Sequence, residues 1–371
     1  MKLTRSIQLA ALLATSAFSP AQDGTSDTAT NPFTPPAELK KLHRLLGSWE
    51  GSGTATMAPG TPATTWTAKQ TSSLAVGGHA LRDDTVISFP EGTPGIQGPL
   101  VFRGYTTWDR ENKRFVAYGL SNEGSVNSSE ITFIDENTML SITVGEEQGQ
   151  KVVDRWVTWL KGDTLSFKGT RTIGTGDAFT HVEGSYKRTV KGVVPASTAG
   201  DAAQHKGLDL SSFKPFGEVP SPMAKLNRMA GTYSFEGSMC MAPGGPPMSI
   251  GGKEVITPVF GGSVLWLDIH GAPPKAGGPS YECIGAIAWD KSDNRYKMIY
   301  VNNMGESGET DGWLAGDVFI GTQSGTRGGQ PYLTRSTLQL DSAGRPKSTS
   351  SHSLVGTHSP FECFKGNYTR N

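Results

Sequence analysis

The chain is written twice. Leu42, Arg44, Gly47 and Trp49 recur as Leu226, Arg228, Gly231 and Tyr233, and Met57-Ala58-Pro59-Gly60 recurs as Met241-Ala242-Pro243-Gly244. Gly77-Gly78 returns as Gly261-Gly262, Trp108-Asp109 as Trp289-Asp290, and Gly184-Ser185-Tyr186-Lys187-Arg188 as Gly366-Asn367-Tyr368-Thr369-Arg370. Collinear matches with small changes of spacing mean one ancestral unit copied in tandem, with insertions held to loops. Each copy is about 150 residues, a full domain and not a solenoid repeat. The units span 37–189 and 222–371. Residues 190–221 between them read as a linker, with Leu208, Leu210 and Phe213 apolar enough to pack.

Within a unit, one short helix precedes many strands. Leu39, Leu42, Leu45 and Leu46 share a helical stripe, Pro35-Pro36 suits a helix start, and Gly47 can take the left-handed position after the helix. Alternation then takes over, as in Val101–Trp108, a polar turn, and Phe115–Leu120. Glycine fills 47 of 371 positions and charged residues only 18%, a composition of short strands and tight turns. Eight to ten strands with no helix between them make an antiparallel meander, and closing it into a barrel removes the exposed edges. The expected fold is all-β, two tandem antiparallel barrels each preceded by a short helix.

Lys+Arg and Asp+Glu are equal at 34 each, which leaves no electrostatic footprint for nucleic acid or an anionic membrane. Lys2 and Arg5, the apolar run Ile7–Phe18 and the small residues Ser19-Pro20-Ala21 read as a signal peptide over 1–21, with a flexible leader at 22–36. A secreted or periplasmic protein without a transmembrane segment is the expectation.

At Leu46-Gly47-Ser48-Trp49-Glu50-Gly51 the chain resembles the opening strand of the calycin group, the lipocalin-like barrels. More specifically, the unit resembles the bacterial DUF1579 family. The pattern is carried by Gly47/Trp49/Gly51, Gly77/Gly78, Gly104/Tyr105/Trp108/Asp109 and Tyr186/Arg188. The second copy departs from it, with Tyr233 for the tryptophan, Phe235 for the second glycine and Ala286 for Tyr105. The resemblance implies a barrel whose floor is plugged by an aromatic ring under an arginine from the last strand: Arg188 over Trp49, and Arg370 over Tyr233. It leaves function open, since fold does not fix function.

All three cysteines lie in the second unit, and export permits a disulfide. With the first and last strands antiparallel and Thr232 opposite Arg370, Cys240 and Cys363 fall side by side within one residue, so a Cys240–Cys363 bridge is expected with Cys283 free and buried. Histidines show no metal-ligand spacing and no cofactor is expected. Were haem held as in some lipocalin-like barrels, His181, His352 and His358 would be its candidates. Asp83-Asp84 point to opposite faces of a strand and read as solvated charges, not an acid pair. The candidate lining of a ligand cavity is Trp66, Arg82, Tyr105, Trp159, Arg171 and His181, with Arg82, Arg155 and Arg171 needing acids such as Asp84 or Glu183, or an anionic headgroup. Three functions stay open: a module binding a small hydrophobic or amphipathic ligand, a structural protein presenting loops to a partner, and an enzyme using haem or a cavity His or Arg.

Overall fold

The computed structural model describes residues 31, 33–56, 58–93, 96–147, 149–194, 207–240, 243–273, 279–327 and 329–371. The expected signal peptide, and the leader through Thr30, lie outside the described residues.

A 3₁₀ stretch, Ala37–Leu45, opens the first unit and buries Leu39 and Leu42. Ten strands follow: β1 (Gly47–Ala55), β2 (Thr64–Ala75), β3 (Ala80–Ser88), β4 (Leu100–Asp109), β5 (Arg114–Ser121), β6 (Ser125–Phe133), β7 (Thr138–Glu147), β8 (Gln150–Lys161), β9 (Thr164–Ile173) and β10 (Phe179–Lys191). Each pairs with its sequence neighbours, and β1 pairs with β10 to close the barrel. The second unit begins with helix α1 (Ser221–Leu226) and repeats the plan. Its strands are β11 (Gly231–Met239), β12 (Met248–Val259), β13 (Val264–Gly271), β14 (Glu282–Asp290), β15 (Arg295–Asn302), β16 (Ser307–Ala315), β17 (Val318–Arg327), β18 (Gln330–Leu340), β19 (Pro346–Val355) and β20 (Phe361–Arg370). β11 and β20 close this barrel.

The repeated Gly-Gly sites mark the same sharp turn between the second and third strands. Val76, Gly77 and Gly78 all have positive φ (52°, 59° and 85°), as do Phe260, Gly261 and Gly262 (51°, 63° and 90°). Three successive left-handed residues are affordable only where most are glycine. Gly47 (φ 126°) serves closure instead, because a Cβ there would lie 2.1 Å from the Val190 carbonyl oxygen.

The floor of the first barrel is as the resemblance implies. The Arg188 guanidinium lies 4.0 Å from the Trp49 ring centre, and the indole N–H donates to Leu45 O at 2.9 Å. Arg188 also donates to Leu46 O and Arg44 O and pairs with Asp163. The second floor keeps half of this. Tyr233 Oη–H donates to Met229 O at 2.9 Å, reproducing the bond of the Trp49 indole four residues back. Arg370 stands opposite Tyr233 in the register, one residue from the expected pairing with Thr232, yet its side chain is exposed and Tyr233 packs edge-on against Tyr368.

The Cys240–Cys363 bridge is not formed. Cys240 N–H donates to Cys363 O at 3.0 Å, so the two backbones lie side by side, within one residue of the expected register. No disulfide links the three cysteines; Cys240 Sγ donates to Gly245 O and Cys363 Sγ to Ser351 O. A register irregularity between Ser351 and His352 sits beside Cys363, and such an irregularity re-aims side chains.

The barrels share a core. Val101, Tyr105, Val116, Tyr118, Leu120 and Val126 of the first pack with Val264, Ala286, Ala288, Ile299 and Val301 of the second in one buried cluster. The segment between the units straps this seam. Leu210 is buried in the same cluster with Leu208 and Phe213 against it, Leu208 N–H donates to Asp84, and Arg103 donates to Leu208 O.

Candidate functional site

Register fixes which side chains enter a barrel, since directly opposed residues share a face. Beginning from Trp49 on the floor, the inward positions of β1 are Trp49, Gly51, Gly53 and Ala55, and those of β2 include Trp66, Ala68 and Gln70. The same counting turns Thr85 and Ile87 of β3, Phe102 of β4, Trp156 and Thr158 of β8, Leu165, Phe167 and Arg171 of β9, and Val182 and Tyr186 of β10 inward. Ala55, Trp66, Gln70 and the inward positions named on β3, β4 and β8–β10 line a cavity of about 520 Å³ in the first barrel.

One wall is aromatic. Trp66 stacks on Phe167 (5.7 Å), Phe167 on Tyr186 (5.7 Å), and Trp156 leans against Phe167 (5.9 Å). Two facing glycines make room for this wall: a Cβ on Gly53 or Gly184 would come within 2.5 Å of the Trp66 ring.

An ion pair and a histidine gather near the start of β10, the end away from the floor. Arg171 and Asp154 form a two-pronged pair, both N–H···O distances 2.8 Å. His181 rests edge-on against Trp156 at 5.1 Å, with Nδ1 4.0 Å from Asp154 Oδ1. Burial, the largest influence, holds the His181 pKa below the usual imidazole value. Asp154 pulls it up and Arg171 lowers it further, so the ring is neutral at pH 7. His181 Nδ1 and Trp66 Nε1 are buried with no hydrogen-bond partner among the described residues. A buried polar atom without a partner costs about 1–3 kcal/mol.

Trp66, Arg171 and His181 therefore converge, while three other candidates lie elsewhere. Trp159 projects outward and is 42% exposed, because the inward tryptophan of β8 is Trp156. Tyr105 faces the second barrel, stacked on Trp266. Arg82 points out toward Asp84 at 3.5 Å, where Arg103 also binds that carboxylate. Asp84 is buried in this seam, so it is not a solvated charge. Asp83 turns inward to Ser72 and Gln70, and burial pushes its pKa up to about 6. Arg155 is exposed.

Phe167, Trp156, Phe102 and Asp154 were not singled out from sequence. Counting parity outward from the Trp49–Arg188 closure finds each of them. Among the described residues no group of three or more His, Cys, Asp or Glu could hold a metal ion, and no helix is long and apolar enough to cross a membrane.

Residues 220–337 match a family model described as "Protein of unknown function (DUF1579)". The match falls on the second barrel, the copy that departs further from the motif pattern. Among solved structures, the chain is similar to Rv2717c from M. tuberculosis, at 15% identity over 42% of this chain and 99% of that one, with a TM-score of 0.33. It is similar to the S-type phycobiliprotein lyase CPES from Guillardia theta, at 14% identity over 44% of this chain and 97% of that one, with a TM-score of 0.29. A protein of unknown function from the DUF3598 family of Nostoc punctiforme is 8% identical over 91% of this chain and 100% of that one, with a TM-score of 0.27. No curated protein matches the chain.

Proposed function

We propose that the first barrel is a binding module for a small amphipathic ligand, in a protein exported by the signal at 1–21. The observation that carries this reading is the cavity of about 520 Å³, within the ~300–1,000 Å³ range of small-molecule sites. Its aromatic wall takes an apolar ring or chain. Its charged corner, where Asp154 holds Arg171 close to His181, fixes the ligand's orientation. Because Arg171 is neutralised by Asp154 and His181 carries no charge, the corner suits a polar uncharged or weakly acidic end. The second barrel acts as a body against which the first is held.

The test uses 1-aminoanthracene, whose fluorescence rises in an apolar pocket. The wild-type protein is expected to bind it with one high-affinity site. Thr158→Trp and Thr85→Trp each place a large ring inside the cavity and are expected to weaken binding at least tenfold while leaving the thermal midpoint in place. Equal binding by wild type and by both folded variants would overturn the reading.

A further inference from the structure

The two copies differ at one end, and the difference leaves a second site. In the first barrel, Lys41 and Arg44 of the opening 3₁₀ stretch lie over the Phe133 ring, 5.7 and 5.6 Å from its centre. Phe133 in turn packs edge-on against Phe115 at 5.1 Å. Arg44 also donates to Asn137 in the loop that follows β6.

The duplication carries both cations into the second barrel as Lys225 and Arg228. It does not carry the ring. Phe115 corresponds to Tyr296, and the register Phe115–Ile131 corresponds to Tyr296–Gly312. Phe133 is therefore replaced by Leu314. The following loop is cut from residues 134–137 to 316–317. Gly312 lets Tyr296 and Phe319 pack inward, since a Cβ there would lie within 2.6 Å of both. What remains outside is a cleft of about 540 Å³ lined by Lys225, Arg228, Trp289, Tyr296, Trp313 and Leu314, with Asp317 at its edge. Lys225 and Arg228 are exposed, and both tryptophans are half-buried.

We infer that this cleft binds a small aromatic carboxylate, its ring taking the place that Phe133 fills in the first barrel and its charge meeting Lys225 and Arg228. The first copy shows what this pair of cations holds when the position is filled: an aromatic face. Trp289 and Trp313 supply the ring-stacking walls. Two cations against one acid make the lining net positive, which selects an anionic substituent. The site is separate from the cavity of the first barrel and does not depend on it.

The experiment labels the full-length protein with 5-fluorotryptophan and assigns its ¹⁹F resonances by single Trp→Phe replacements. Titration with 1-naphthoate is expected to shift Trp289 and Trp313, and to do so at least fivefold more tightly than neutral 1-naphthylmethanol. Trp66 and Trp156 report the first barrel separately in the same spectra. Leu314→Phe restores the missing ring and is expected to abolish the Trp289 and Trp313 shifts. Lys225→Ala/Arg228→Ala changes only exposed side chains and is expected to weaken naphthoate about five- to tenfold. Three results would overturn the inference: no shift of Trp289 and Trp313 at millimolar naphthoate, a folded Leu314→Phe that still binds, or binding indifferent to loss of the two cations.

Discussion

Tyr105 of the first barrel stacks on Trp266 of the second, ring centres 5.9 Å apart and planes inclined by 23°. Arg103 also lies over this indole, 5.5 Å from its centre. Two barrels joined only by a linker would unfold separately. These share a buried cluster, so their stabilities are linked. Differential scanning calorimetry is expected to show one cooperative transition for the whole chain. Tyr105→Ala, a change of the large-to-small kind that costs about 3 kcal/mol in a core, is expected to split it into two. A wild-type endotherm already resolved into two independent transitions would contradict this coupling.

The floor residues make an internal control. Arg188 stacks on Trp49 and bonds two carbonyls and Asp163, whereas Arg370 at the matching closure position is exposed. Arg188→Ala removes the bonds to Arg44 O and to Leu46 O, the latter keeping only its Gly192 N–H, together with the stacked cation, a loss of about 2–3 kcal/mol. Arg370→Ala is expected to change stability by less than about 0.5 kcal/mol. Urea titration of the two variants side by side measures the difference, and equal losses would show the two floors to be alike.

How far the sequence was readable follows from these same residues. The copied motifs located both closures, and the Trp49–Arg188 contact could be placed because it joins two motif positions. The register of the second closure was readable to one residue, as Cys240 beside Cys363 shows. The inside of the first barrel was readable only in part, because period-2 alternation names two faces without saying which is inside. That ambiguity put Trp159 in the cavity in place of Trp156. Tyr105 was obscured differently. β4 and β5 carry apolar side chains on both faces, one toward the lumen and one buried toward the second barrel, and such a strand carries no facing signal.

Electrostatics in the first barrel can be switched by one atom pair. Asp154 neutralises Arg171 within the cavity, and Asp154→Asn keeps the shape while freeing the guanidinium's charge. Decanoate is expected to bind the variant about tenfold more tightly than wild type, a gain of about 1.4 kcal/mol for one buried charge partner. Decanol, equally long and uncharged, is expected to be unaffected. Isothermal titration calorimetry of the four pairings decides it; parallel changes for both alkyl ligands would place Arg171 away from the bound head.

Glu254 gives the second barrel a pH dependence with a definite sign. It points inward at the level of Tyr233 and is 1% exposed. Burial pushes its pKa up to about 7, against a smaller downward pull from the Tyr368 hydroxyl that donates to it. The unfolded chain loses this proton near the usual carboxylate value. Between that value and about 7 the folded state binds the extra proton. Stability therefore falls as pH rises through this window and levels off above it, by up to about 3 kcal/mol for this group. Asp83 adds a slope of the same sign that ends near pH 6. Glu254→Gln keeps an amide oxygen for Tyr368 and cannot ionise. Urea midpoints measured from pH 4.5 to 8 are expected to fall less steeply in the variant, with its advantage over wild type largest at pH 8. Parallel slopes for the two proteins would mean that Glu254 titrates as an ordinary solvated acid.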